Sequence, residues 1–137
     1  MKLQSILALA VIIPLLSVLH AEDSPLEKQM QILAKGTKQL SMQVNDPSRQ
    51  QSTVTLIESL RKAALDSQNL QPRKTATVPQ ADQAPFLAAY KAQIQKLSDT
   101  YGQIEEAVKA GQYDNAKSLL GKLGQLKKEG HGKFKQD

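Results

Sequence analysis

From residue 87 to residue 108, seven apolar or aromatic side chains recur at intervals of three and four: Leu87, Tyr90, Ile94, Leu97, Tyr101, Ile104 and Val108. A stripe with that spacing lies along one side of an α-helix and must be covered by other elements. Three further stretches carry the same signature more weakly. Leu26, Met30, Leu33, Thr37, Leu40 and Val44 form one seam. Thr53, Ile57, Leu60, Ala64 and Ser67 form a second, flanked by Val54, Leu56 and Leu65, and Tyr113, Ala116, Leu120 and Leu123 form a third. No strand alternation, nucleotide-binding glycine loop or longer repeat interrupts them. The Gly111 to Ala116 stretch resembles a tetratricopeptide joint, but a single copy is only a helix-turn-helix connection. Four one-sided helices in one short chain define an all-α fold, an antiparallel up-down-up-down four-helix bundle.

The boundaries are written in capping chemistry. Ser24-Pro25-Leu26-Glu27 combines a capping box with proline at the first helical position, so helix 1 starts there. Asn45-Asp46-Pro47 ends it and opens helix 2, which runs to about Asn69. Gln71 to Pro79 holds two prolines and no period, and predicts a loop between two helical hairpins. Helix 3 is expected after Asp82 with Pro85 in its first turn. Gly111 ends it, and helix 4 follows from Gln112 or Tyr113.

The first 21 residues belong to none of these helices. Lys2 precedes an apolar run from Ile6 to Leu19, then Leu19-His20-Ala21 and the acidic pair Glu22-Asp23. This reads as a secretory signal peptide, residues 1–21, cut after Ala21. The run is shorter than the roughly 20 residues a spanning helix needs, so no stable membrane insertion is expected. Residues 22–137 then form one exported domain, a periplasmic monomer. With no cysteine there is neither a disulfide nor a cysteine-linked lipid. The net charge of +5 becomes +4 without Lys2 (17 basic against 13 acidic residues). Lys117, Lys122, Lys127, Lys128, Lys133 and Lys135 gather late in the chain. We read them as a solvated helix face rather than a nucleic-acid site, because no aromatic residue interleaves with them. Such a face could also steer an acidic redox partner.

After cleavage a single histidine remains, His131, near the C-terminus, and Met30 stands near the other end. In an up-down-up-down bundle the start of helix 1 and the end of helix 4 share one end. Met30 follows Ser24 by six residues and His131 precedes Asp137 by six, roughly 9 Å of helix in each case. Met42 lies twelve residues beyond Met30, ~18 Å toward the opposite end. Leu120 and His131 are eleven residues apart, close to three turns, so His131 is expected to point toward the core. A thioether and an imidazole at one depth make an axial pair for haem iron. Other chemistries lack parts. One histidine without cysteine does not build a zinc site, no serine carries a nucleophile motif, and Glu105 and Glu106 are adjacent and point apart. No enzyme is expected.

Several segments carry a family likeness. Leu26-Glu27-Lys28-Gln29-Met30, Leu60 to Gln68, Gln103-Ile104-Glu105-Glu106-Ala107 with Gly111, and Leu126-Lys127 followed by His131-Gly132-Lys133-Phe134 resemble the cytochrome b562 family over essentially the whole mature length. That family is itself a standard example of the up-down-up-down bundle, so the fold it implies coincides with the one read from periodicity. The resemblance implies one non-covalent haem b per chain, held by Met30 and His131, and electron transfer with a redox partner it does not name. Leu33, Tyr90, Ile94, Leu123 and Phe134 are the expected pocket wall, with Tyr90 and Ile94 where the family packs phenylalanines. Gly130 and Gly132 beside His131, and Gly121 and Gly124 upstream, depart from the family and predict a frayed end of helix 4. The rival reading is a haem-free bundle of the same fold acting as a periplasmic interaction or stress protein.

Overall fold

The computed structural model describes residues 22–136. The expected signal peptide, residues 1–21, lies outside the described residues. Four helices follow in chain order: α1 Pro25–Gln43, α2 Gln50–Ser67, α3 Gln80–Lys109 and α4 Tyr113–Phe134. Two short 3-10 turns, Pro47–Arg49 and Arg73–Thr77, occupy the first two connections.

Helix α1 begins as its cap dictates. Ser24 Oγ accepts the Glu27 N–H at 3.2 Å, and the Glu27 carboxylate accepts the Ser24 N–H in return. Arg73 reaches back from the second connection to Glu27 at 3.0 Å, pinning that loop to the start of α1. Gly111, the one glycine with positive φ (71°) among the described residues, turns the chain between α3 and α4. Only glycine enters that region without a Cβ penalty. Helix α3 starts earlier than its sequence suggests, at Gln80, which puts Pro85 inside the helix rather than in its first turn. The extra residues are held by Asp82 N–H to the Pro79 carbonyl and by the Gln83 side chain to the Val78 carbonyl.

The seams read from sequence form the core. Leu40, Val44, Ile57, Leu60, Ala64, Ile104, Val108 and Ala116 are almost wholly removed from water. Helix α2 packs between α1 and α3, and α3 packs on α4, whereas α1 and α4 touch only marginally. The bundle is therefore closed along three edges and open along the fourth. At the closed α1–α2 edge the helices approach unusually near. A Cβ at Gly36 would lie 2.4 Å from Leu60 Cδ2. Beside it, across from α2, Glu105 is buried, and its carboxylate accepts hydrogen bonds from Arg61 at 3.0 Å and from Lys109. Glu106 is exposed, so the adjacent carboxylates do point apart.

Candidate functional site

Two hydrogen bonds set the register of the helices around the open edge. Thr37 Oγ1 and Tyr101 Oη share one at 2.6 Å, levelling α1 against the parallel helix α3. Gln93 Nε2 donates to the Leu126 carbonyl at 3.0 Å, levelling α3 against α4. Counting seven residues back from each partner of the first pair brings Met30 to the height of Ile94. In this antiparallel pair the second bond sets Ile94 opposite the residue just before Leu126, whereas Gly130, whose Cβ would lie 3.6 Å from Gln93 Cγ, also stands beside Gln93. Met30 and His131 thus occupy the same end of the bundle, within about two helical turns of each other along its axis.

Their azimuths place both at the rim. On α1, Gly36 faces α2, and Met30 lies about 120° round the helix from it, on the flank away from α2. Met30 is partly buried and packs against the core. On α4 the buried line is Ala116, Leu123, Leu126 and Phe134. His131 shares its phase with Leu120, as its spacing implies, but Leu120 is itself only partly buried. The expectation that His131 points into the core is therefore corrected: its side chain is exposed and flanks the open edge. The reason is that α4 faces α3 through Leu126 and Gly130, one step round from the Leu120 line. Partial shielding by the surrounding helices, and then the nearby Lys127 and Lys135, hold the imidazole below its ordinary titration range. It is accordingly disposed to keep its ring nitrogen unprotonated.

The five expected wall residues are all buried: Leu33, Tyr90, Ile94, Leu123 and Phe134. Phe134 packs edge-on against Tyr90, with centroids 5.6 Å apart, and against Phe86 at 5.3 Å. The Tyr90 hydroxyl donates to the Ser67 carbonyl at 2.6 Å, and burial pushes its pKa up. These contacts explain a second correction. Helix α4 does not fray at its glycines but runs through Gly130 and Gly132 to Phe134. A buried aromatic anchor at the last helical residue outweighs the ~1 kcal/mol that each glycine costs. A Cβ at Gly121, Gly124 or Gly132 would meet nothing within 4 Å, and one at Gly130 would touch only Gln93 Cγ at 3.6 Å.

Gln93 and Phe86 were missed in the sequence. Both sit at helical spacing from Tyr90, and that interval was the available signal; Gln93 is polar, and Leu87 draws attention from Phe86. Two clefts, of about 720 and 450 Å3, lie on the α3 side of α4 and include neither Met30 nor His131. That fits the geometry, because the α1/α4 edge is a gap between helices and not an enclosed cavity. Among the described residues no three His, Cys, Asp or Glu side chains gather to hold a metal ion. One imidazole and one thioether stand on the two rims of one opening, a donor pair of the kind that can ligate haem iron.

The arrangement defines a class: an α-helical bundle with one edge left open between a methionine rim and a histidine rim. Residues 25–135 match the family model described as Cytochrome b562, and the chain belongs to that family of haem-binding electron-transfer helical bundles. No curated protein and no solved structure matches the chain. No helix among the described residues is long and apolar enough to cross a membrane.

Proposed function

We propose that this protein is exported by the signal peptide of residues 1–21 and acts in the periplasm as a monomeric one-electron carrier. It holds one haem b per chain, without covalent attachment, and Met30 and His131 are the axial ligands. The observation that supports this reading is that Met30 and His131 lie at the same end of the bundle, on the two helices that border the open edge. The donor set fits: a neutral imidazole and a thioether stabilise iron in both oxidation states, and the thioether raises the potential. When bound, the haem iron supplies the one-electron chemistry. The chain supplies position and dryness. Leu33, Tyr90, Ile94, Leu123 and Phe134 form an apolar floor under the edge that keeps water from the iron side. Gly121 and Gly124 leave room for a flat group to approach α4 closely. The absence of cysteine excludes a thioether-linked haem.

Haemin titration tests the reading. The wild-type protein is expected to bind one equivalent and to give a low-spin spectrum on reduction. His131→Ala should lose most of the affinity, since imidazole is the stronger ligand. Met30→Ala should keep the haem but turn high-spin, with a lower potential. No Soret shift at micromolar haemin, or unaltered spectra in both variants, overturns the assignment.

A further inference from the structure

The charge of this molecule is not spread evenly over its four helices. Helices α1 and α4, which flank the open edge, carry eight basic residues against three acidic ones, whereas α2 and α3 carry five against six. Within α4 the lysines divide by azimuth. Lys122 lines a cleft with α3, together with Glu129. Lys117, Lys127 and Lys128 fall on the opposite side, around His131, Lys135 follows just past the helix end, and all four are exposed. The ion pairs among the described residues engage Arg49, Arg61, Lys62, Arg73 and Lys109, and none of those four lysines. On the facing rim Glu27, the carboxylate nearest Met30, is paired with Arg73, while Asp23 accepts only the neutral Gln31 amide. The α4 rim of the open edge thus carries positive charge that no ion pair among the described residues compensates.

We propose that this edge is a docking face for an acidic electron-carrier protein, an inference that rests on the haem reading above. Two haem propionates would neutralise fewer charges than the edge carries, so the loaded protein keeps a positive rim. Lys117 to the last helical residue, Phe134, spans roughly 26 Å of helix, about the width of the ~800 Å2 that one partner contributes to an ordinary protein interface. A lipid surface is the poorer fit. A helix lying on a membrane presents large apolar side chains beside its lysines, but this flank offers Gly121 and Gly124. The exposed large apolar residues, Ile32, Met42 and Leu65, are on α1 and α2. Long-range attraction of an acidic partner to this rim raises the encounter rate and turns the haem edge toward the incoming carrier.

The test uses the haem-loaded protein and stopped-flow mixing. One electron passes from the ferrous protein to ferricyanide, an anion, or to tris(phenanthroline)cobalt(III), a cation. Oxidation by ferricyanide should slow as ionic strength rises, and oxidation by the cobalt complex should not. Lys117→Glu/Lys128→Glu should slow the ferricyanide reaction on the order of tenfold at low salt. Lys127, adjacent to His131, is left in place so that ligation is not disturbed. Lys62→Glu/Lys91→Glu carries the same change of net charge on α2 and α3 and should change the rate less than twofold. Electron transfer from reduced flavodoxin, an acidic carrier protein, to the ferric protein should follow the same pattern. Equal slowing in both double variants means that net charge alone acts, and overturns the docking face. Binding to phosphatidylglycerol vesicles that is lost only in Lys117→Glu/Lys128→Glu would assign the rim to a membrane and also overturn it. A normal haem spectrum with unchanged rates refutes this inference alone; absence of a haem spectrum removes the haem reading and this inference together.

Discussion

The same substitution, glycine to alanine, should change stability in opposite directions at Gly36 and at Gly132. Both residues are helical, so alanine gains up to ~1 kcal/mol of helix propensity at either position. At Gly132 the new methyl meets nothing within 4 Å, and the whole gain is realised. At Gly36 the methyl would stand 2.4 Å from Leu60 Cδ2 and 3.3 Å from its Cγ. Leu60 is 1% exposed, so its side chain has no free direction in which to turn. Either α1 moves away from α2 or Leu60 leaves its rotamer, and overpacking of that kind costs about 1–3 kcal/mol. The cost exceeds the gain, leaving a net loss of up to ~2 kcal/mol against a net gain of up to ~1 kcal/mol at Gly132. Urea unfolding of the haem-free protein, followed by circular dichroism, reads both values from midpoints at constant slope. Shifts of the same sign in the two variants would refute the claim that a close approach of α1 and α2 requires Gly36.

Three further outcomes are expected. Phe134→Ala removes the anchor of α4, and truncation of a buried phenylalanine costs ~3–5 kcal/mol where the whole fold must bear it; here the last turns can detach instead, so rapid amide exchange across residues 127–134 and weakened haemin binding should accompany a smaller global loss. Glu105 is held below the ordinary carboxylate range first by its hydrogen bond to Lys109 and then by Arg61, so its contribution is complete above about pH 4.5 and is lost as pH falls through the depressed value. Glu105→Gln should therefore flatten the acid limb of the stability curve, and an unchanged limb would show that the pair contributes nothing. In the haem-free protein the His131 ring should titrate below 6.5, because partial desolvation, then Lys127 and Lys135, oppose its protonation. An NMR titration with a midpoint above 6.5 would contradict that environment, and Lys127→Gln should move the midpoint upward.

Much of this molecule is determined by local sequence. The interval from Leu87 to Val108 specifies a helix and its buried side in any water-soluble context, because 3.6 residues per turn convert spacing directly into azimuth. Ser24 and Glu27 satisfy each other's backbone donors within four residues, and Gly111 supplies a left-handed turn, so those boundaries need no distant partner. The two candidate ligands were also legible, since residues 22–137 hold one histidine and Met42 stands twelve residues beyond Met30. The open edge itself was not legible. Spacing relates His131 to Leu120, but whether that line meets α3, α1 or water depends on how α4 is rotated against α3. The Gln93 bond to Leu126 and the packing of Phe134 on Tyr90 and Phe86 set that rotation. These contacts join residues more than 30 positions apart, and no local propensity encodes them. The persistence of α4 through Gly130 and Gly132 was decided in the same way. Propensity alone favours fraying there, and burial of one aromatic ring at the helix end, available only once α3 is in place, outweighs it.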